Sequence, residues 1–192
     1  MKAAQPGKRK ASPRKRRETT VLSDRGVTTA VAAMARAILK SHKDPAGLAI
    51  VGIQSRGVPL AARLEASLRR ATGKRVDVGS LDITLYRDDL STVGTRPLLK
   101  ATRIPFSIDG RTVILVDDVL FTGRTIRAAL DELVDFGRPS RIALAVLVDR
   151  GHRELPIQAD YVGRTVRTLR SDRVDVRLAE TDGADEVVLV TS

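Results

Sequence analysis

The chain has 192 residues, no cysteine and a formal net charge of +11. A chain of this length suits one domain, which buries roughly 70% of its unfolded surface and needs no staples, and the missing cysteines exclude disulfides and thiolate metal centres. No apolar run reaches the ~18 residues of a membrane helix and the charged start does not read as a signal peptide, so a cytoplasmic protein with no membrane partner is expected.

The charge is concentrated at the beginning. Residues 1–20 carry eight basic side chains against one acid, Glu18, and so hold +7 of the +11. With Pro6, Gly7 and Pro13 and no apolar periodicity, this stretch is expected to be a disordered basic tail, followed by one domain over 21–192. Such a tail serves either as an arm for nucleic-acid phosphates or as a solubilising extension, and composition does not separate the two.

Val27, Val31, Met34 and Ile38 recur at helical spacing and predict a helix over 24–41 with Asp24 as its cap. Leu48–Ile53 is an apolar run without alternation, the pattern of a parallel strand buried on both faces. Gln54-Ser55-Arg56-Gly57 and a helix over 58–71 follow, then a strand over 76–85. Residues 86–105 lack periodicity, are rich in Arg, Asp, Thr, Gly and Pro, and are expected to form a lid loop. A strand over 112–117 precedes a helix over 124–136 whose inner stripe is Ile126, Ala129, Leu130, Leu133 and Val134. The next strand, Ile142–Val148, ends at Asp149 and Arg150, and strand-like pieces recur around 160–166, 174–178 and 186–191. Alternating strands and helices predict an α/β fold, a parallel twisted sheet with helices on both faces.

The stretch VILVDDVLFTGRT, Val113–Thr125, is the most informative. Its apolar strand delivers Asp117 and Asp118 to the carboxyl end of the sheet, where open α/β folds bind ligands. Val119, Leu120, Phe121, Thr122, Gly123, Arg124 and Thr125 then form a turn into a helix N-terminus, whose unpaired N–H groups and positive dipole suit a phosphate. Carboxylates for ribose hydroxyls beside amides for a phosphate make a sugar-phosphate site. An Asp-Asp pair alone also suits Mg²⁺ in a P-loop enzyme or a simple helix cap, but the chain contains neither G-x-x-x-x-G-K-[ST] nor a strand followed by G-x-G-x-x-G. Ser55-Arg56-Gly57 ends a neighbouring strand and reads either as a pyrophosphate turn or as an ordinary βα connection. The lid cations Arg87, Arg96, Lys100 and Arg103 either close over a diphosphate or keep an exposed loop in water. His42 and His152, the only histidines, are expected to be structural, and no general base declares itself.

Val113–Thr125 resembles the 5-phosphoribosyl 1-pyrophosphate (PRPP) motif of the type I phosphoribosyltransferases. Leu81–Leu90 (LDITLYRDDL) and Gly137–Gly163 extend the similarity to the PyrR family, pyrimidine operon attenuation proteins that are also uracil phosphoribosyltransferases. The resemblance runs from about Val27 to the C-terminus. It implies a type I phosphoribosyltransferase fold with a small hood from about residue 150 onward, and conversion of uracil and PRPP to UMP and diphosphate with Mg²⁺ brought through PRPP. It also implies homo-oligomers, and binding to a stem-loop of pyr operon mRNA promoted by the uridine nucleotides UMP and UTP. By matching position, Asp117 and Asp118 would be catalytic and hold the ribose, Val119–Thr125 the 5′-phosphate, and Ser55 with Arg56 the pyrophosphate. Arg96 would add a phosphate contact, and Arg150 and Val174 would lie near uracil. A purine or orotate phosphoribosyltransferase would share the PRPP site and differ in the hood.

The RNA surface departs from the family pattern. Where the first helix of the family usually shows Thr, Arg and His, this chain has Ala32, Ala33 and Arg36, and after Gly163 it reads RTVRTLRS in place of a sequence close to KNIPTS. Arg36, Lys40, Arg164, Arg167 and Arg170 are the candidate RNA-binding residues. They suit phosphate attraction better than base reading.

Overall fold

The computed structural model describes residues 17–84 and 101–191. Its frame is a five-stranded parallel sheet of order β3-β2-β4-β5-β6, built from Leu48–Ile53 (β2), Asp77–Leu81 (β3), Thr112–Leu120 (β4), Arg141–Asp149 (β5) and Tyr161–Thr165 (β6). The apolar runs read from the sequence are its centre: every residue of β2 is buried, as are Val113–Val116. Alternation divides them between two cores. Leu48, Ile50, Ile114, Val116, Ala143 and Ala145 face helices α1 (Asp24–Ser41) and α2 (Gly57–Thr72). Ala49, Val51, Val113, Leu115, Leu144 and Val146 face α3 (Arg124–Leu133) and Ile108. A strand with two apolar faces needs cover on both, and helices on opposite sides supply it.

A second sheet, of order β1-β8-β7, is antiparallel and joins the two ends of the chain: Arg17–Leu22 (β1), Arg173–Arg177 (β7) and Glu186–Thr191 (β8). A four-residue helix, α4 (Ala179–Asp182), links β7 to β8. This sheet is the hood, and two expectations change with it. Arg17–Thr20 pair with Val188–Thr191, so the basic stretch expected to be disordered through residue 20 gives up its last four residues to a strand. Residues 160–166, expected in the hood, instead pair with β5 and extend the parallel sheet. Residues 1–16 lie outside the described residues, as does most of the expected lid, Arg87, Arg96 and Lys100 included. The lid's last residues are held: Arg103 and Ser80 exchange backbone hydrogen bonds of 2.8 and 2.9 Å, which extends β3 by an antiparallel bridge.

Smaller corrections have local causes. The cap of α1 is Ser23, whose Oγ accepts from the Gly26 N–H, while Asp24 sits in the first turn where its charge suits the helix dipole. The stripe of α3 ends earlier than its apolar residues suggest. Ile126, Ala129 and Leu133 are buried, but the chain tightens into a 3₁₀ turn at Val134–Phe136 and Val134 faces solvent, 57% exposed.

Candidate active site

β4 does not stop at its carboxylates. Its backbone continues to pair with β5 through Asp117, Val119 and Leu120, so both acids stand on a hydrogen-bonded strand rather than in a loop beyond it. Each is fixed locally: the Asp118 N–H donates to Asp117 Oδ1 (2.9 Å) and the Val119 N–H to Asp118 Oδ1 (2.8 Å). Successive side chains of a strand point to opposite faces, so Asp118 shares the side of Val116, with α2 and the hood, and Asp117 the other. Burial pushes the Asp118 carboxyl above the ordinary carboxylate range, against the opposing pull of the Val119 N–H and the Arg56 charge.

Across from Asp118, the turn after β2 leads into α2. Gly57 begins the helix, and glycine is required there: a Cβ would lie 2.3 Å from the Val116 carbonyl oxygen, so only a bare backbone lets α2 start against β4. The glycine expected to open the turn to an anion therefore serves packing first, and by that packing brings Arg56 to Asp118. Arg56, Asp118 and Val174 line one cleft of about 510 Å³ between the sheet edge and the hood, with Arg173, Asp175, Val176, Arg177 and Asp182. Ser55 is exposed in the turn before Arg56.

The loop after β4 leads into α3. Gly123 is the N-cap of α3 with φ of 92°, a left-handed conformation that suits glycine and offers no capping side chain, while the Thr122 hydroxyl accepts from the Arg124 N–H at 3.4 Å. The Thr122 carbonyl accepts from the N–H groups of Glu154 (2.9 Å) and Leu155 (3.1 Å), which pins the loop from outside. Arg124 is tied to Glu154 at 2.8 Å.

Arg150 and Val174, expected to share the base, line different clefts. Val174 belongs with Asp118, whereas Arg150 lines a neighbouring cleft of about 860 Å³ with His152, Arg153, Ile157 and Thr165–Thr168. Arg150 is 5% exposed. Its guanidinium lies over the Phe121 ring, 4.1 Å from the centroid, and donates to the Leu169 carbonyl at 2.9 Å, so it braces the loop after β4 from behind. Its Nε–H has no hydrogen-bond partner among the described residues, and burial lowers its pKa. His152 Nε2 lies 2.8 Å from the Thr168 carbonyl and its ring meets Phe121 edge-on, a structural role; His42 follows the last turn of α1.

Of the candidate RNA-binding residues, Arg36 and Lys40 are exposed one turn apart on α1, and Arg36 lines a groove of about 500 Å³ with Arg70 and Ser67 of α2. Arg164 and Arg167 are exposed. Arg170 is committed to Glu154.

The sequence reading missed the acidic turn Glu180–Asp185, which the hood sets against α2. Arg56 grips Asp182 through Nε and Nη2, and Arg63 grips both Glu180 and Asp185. Three acids around Gly183 were the available signal, but their partners lie more than 110 residues earlier.

The phosphoribosyl transferase domain family matches residues 19–180. A bifunctional protein PyrR of Pelotomaculum thermopropionicum is 50% identical over 91% of this chain and 97% of its own length. The corresponding PyrR of Thermus thermophilus is 58% identical over 81% and 86%. Among solved structures, a Trypanosoma cruzi hypoxanthine phosphoribosyltransferase in a ternary substrates complex has a TM-score of 0.69 at 20% identity, covering 90% of this chain and 94% of its own. At that identity the likeness shows the fold. The family match and the relatives' identity over nearly their full length show more: this chain belongs to the phosphoribosyltransferase family, within its group of bifunctional PyrR proteins.

Proposed function

We propose that the chain transfers the phosphoribosyl group of PRPP to uracil, giving UMP and diphosphate, and regulates pyrimidine genes by binding operon mRNA in response to uridine nucleotides. One observation carries the enzymatic half: Asp118 on β4 and Arg56 at the start of α2 line a single cleft, and β4 runs on through a short turn to the start of α3.

In this reading Asp117 and Asp118 hold the ribose hydroxyls, the 122–125 turn holds the 5′-phosphate, and Ser55 with Arg56 holds the pyrophosphate. The bond from the anomeric carbon to pyrophosphate breaks as a bond to uracil N1 forms, the N1 proton passes to the departing diphosphate or to water, and positive charge grows on the ribose ring between the two groups. In this reading Asp118 lies beside that charge and Arg56 beside the departing anion, so stabilisation is electrostatic and preset by the strand and the helix. Phosphoribosyltransferases generally use Mg²⁺ with PRPP, and carboxylate oxygens at Asp117 and Asp118 are suitable hard donors. Mg²⁺ would neutralise charge on the diphosphate. Val174, which lines this cleft from the hood, is proposed to lie near the base, and Arg96 is proposed to add a phosphate contact from outside the described residues.

Incubating the protein with PRPP, Mg²⁺ and each of uracil, hypoxanthine and orotate should release pyrophosphate with uracil alone. Turnover with hypoxanthine and none with uracil would overturn the assignment. For the regulatory half, the exposed cations Arg36, Lys40, Arg164 and Arg167 supply phosphate contacts on a homo-oligomer. Filter binding to the pyr operon leader should tighten with UMP, and equal binding to an unrelated hairpin would refute specific recognition. No helix among the described residues is long and apolar enough to cross a membrane.

A further inference from the structure

We propose that Asp182 of the hood is a positioning residue that holds the Arg56 guanidinium ready for the pyrophosphate group. The inference rests on the reading of Arg56 as a pyrophosphate ligand. Asp182 accepts from Arg56 Nε at 3.1 Å and from Nη2 at 2.7 Å, a two-pronged grip on one edge of the guanidinium. The carboxylate is itself held: Asp182 Oδ2 accepts from the Thr181 hydroxyl at 2.7 Å and from the Leu178 N–H at 3.0 Å. Arg56 lines the cleft beside Asp118, and a guanidinium has five N–H donors. Two are used by Asp182, and the described residues take no others, so three remain for a ligand.

An arginine on a turn is long and has many rotamers, and a ligand that must first order it binds more weakly. Asp182 removes that freedom beforehand. It also fixes which edge faces the cleft, which a lysine or an untethered arginine would not provide. The surrounding contacts keep the tether in register: Arg63, two turns along α2 from Arg56, binds Asp185 at 2.6 and 2.7 Å and Glu180 at 2.8 Å, so the whole 178–185 turn is bolted to the helix that begins beside Arg56. Hydrogen bonds from Arg56, Thr181 and Leu178 hold the Asp182 carboxyl far below the ordinary carboxylate range, so it stays ionised.

The test is a double-mutant cycle on the full chain, reading the affinity for inorganic pyrophosphate with Mg²⁺ by calorimetry together with KM for PRPP, KM for uracil and kcat. Asp182→Asn should weaken pyrophosphate and raise KM for PRPP about tenfold, with KM for uracil within twofold. In an Arg56→Ala background the same change should do nothing further, because its route is gone. Thr181→Val, which leaves the carboxylate in place but frees one side of it, should give a smaller effect of the same sign and supplies the test if Asp182→Asn misfolds. An undiminished effect of Asp182→Asn in the Arg56→Ala background would overturn the proposal in favour of a purely structural role. Tighter pyrophosphate binding by Asp182→Asn would overturn it by making Asp182 a competitor of the ligand. If Arg56→Ala alone left pyrophosphate affinity unchanged, the assignment of Arg56 as pyrophosphate ligand would fail first, and the inference with it.

Discussion

Asp118 is placed where an isolated carboxylate is least comfortable, on a strand under a second sheet, and burial raises its pKa. The sign of the consequence follows from linkage. A carboxyl whose folded pKa is raised binds its proton more tightly in the fold, so it detracts from stability above that pKa and detracts nothing once pH falls below the unfolded value near ~3.9. Asp118→Asn, which keeps an acceptor for the Val119 N–H, should therefore raise Tm at pH 7, and the gain over the native chain should vanish near pH 4. The same substitution should lower kcat with PRPP by about a hundredfold or more, the scale of losing one electrostatic group at a developing charge, and adding Asp117→Asn should abolish turnover without unfolding. Calorimetry at the two pH values and a pyrophosphate-release assay check both; a fall in Tm at pH 7 would contradict the burial argument. Gly57 carries the opposite kind of constraint. Its missing Cβ lets α2 meet the Val116 carbonyl, so Gly57→Ala forces the helix start outward and should cost about 1–3 kcal/mol in urea unfolding, the range for overpacking. Because Arg56 precedes it, KM for PRPP should rise as well, whereas a simple packing site far from the cleft would leave KM unmoved.

At the level of elements, the hood is fastened to the sheet by paired side chains as well as by apolar packing. Arg63 is 22% exposed and binds two acids of the 178–185 turn, and its hydrogen bonds hold Glu180 and Asp185 below their ordinary pKa values. Groups with lowered folded pKa contribute stability above their unfolded values and lose it as pH falls through and below about 4. Arg63→Ala should thus destabilise by about 1–2 kcal/mol at pH 7 and low salt, more than an isolated surface pair because Asp185 is the better buried partner. The difference from the native chain should shrink in high salt and in acid, read as converging Tm values. The turn was illegible beforehand for the reason that makes it useful: its partners come from a helix far away in the chain. By contrast α1, α2 and β2 were legible because their signals are local, apolar spacing in the helices and an unbroken apolar run in the strand. β1 fell between the two cases. Thr19, Thr20 and Val21 suit a strand, but they adjoin a basic run, and the strand exists only by pairing with β8 at the other end of the sequence. β6 was recognised as a strand and placed in the wrong sheet, since five residues reveal an extended backbone without naming a neighbour.

Across the whole molecule, the frame outlasts its sequence. The fold is shared with a hypoxanthine phosphoribosyltransferase at 20% identity, and a fold alone does not fix a function, so the proposed roles of the Asp-Asp strand and the two turns rest on their own residues. The proposed PRPP residues come largely from one contiguous stretch, whereas the two residues expected at the base, Arg150 and Val174, are near in neither sequence nor cleft. The RNA-binding role depends on a still more distributed property, surface charge. Seven of the eight basic residues in the first twenty lie within residues 1–16, before β1 begins. If these cations engage RNA phosphates, each contact releases counterions, and the slope of log K against log salt must steepen by about 0.7–0.9 per contact. Removing residues 1–16 should then flatten the slope for the pyr leader by at most about six, while leaving uracil phosphoribosyltransferase activity intact, because the cleft is built from residues 56–182. An unrelated hairpin should lose the same slope, since phosphate contacts carry no sequence information. The UMP-dependent difference between the two RNAs should persist, for it must come from the folded domain; loss of that difference on deletion would place recognition in the tail, and an unchanged slope would remove the tail from RNA binding altogether.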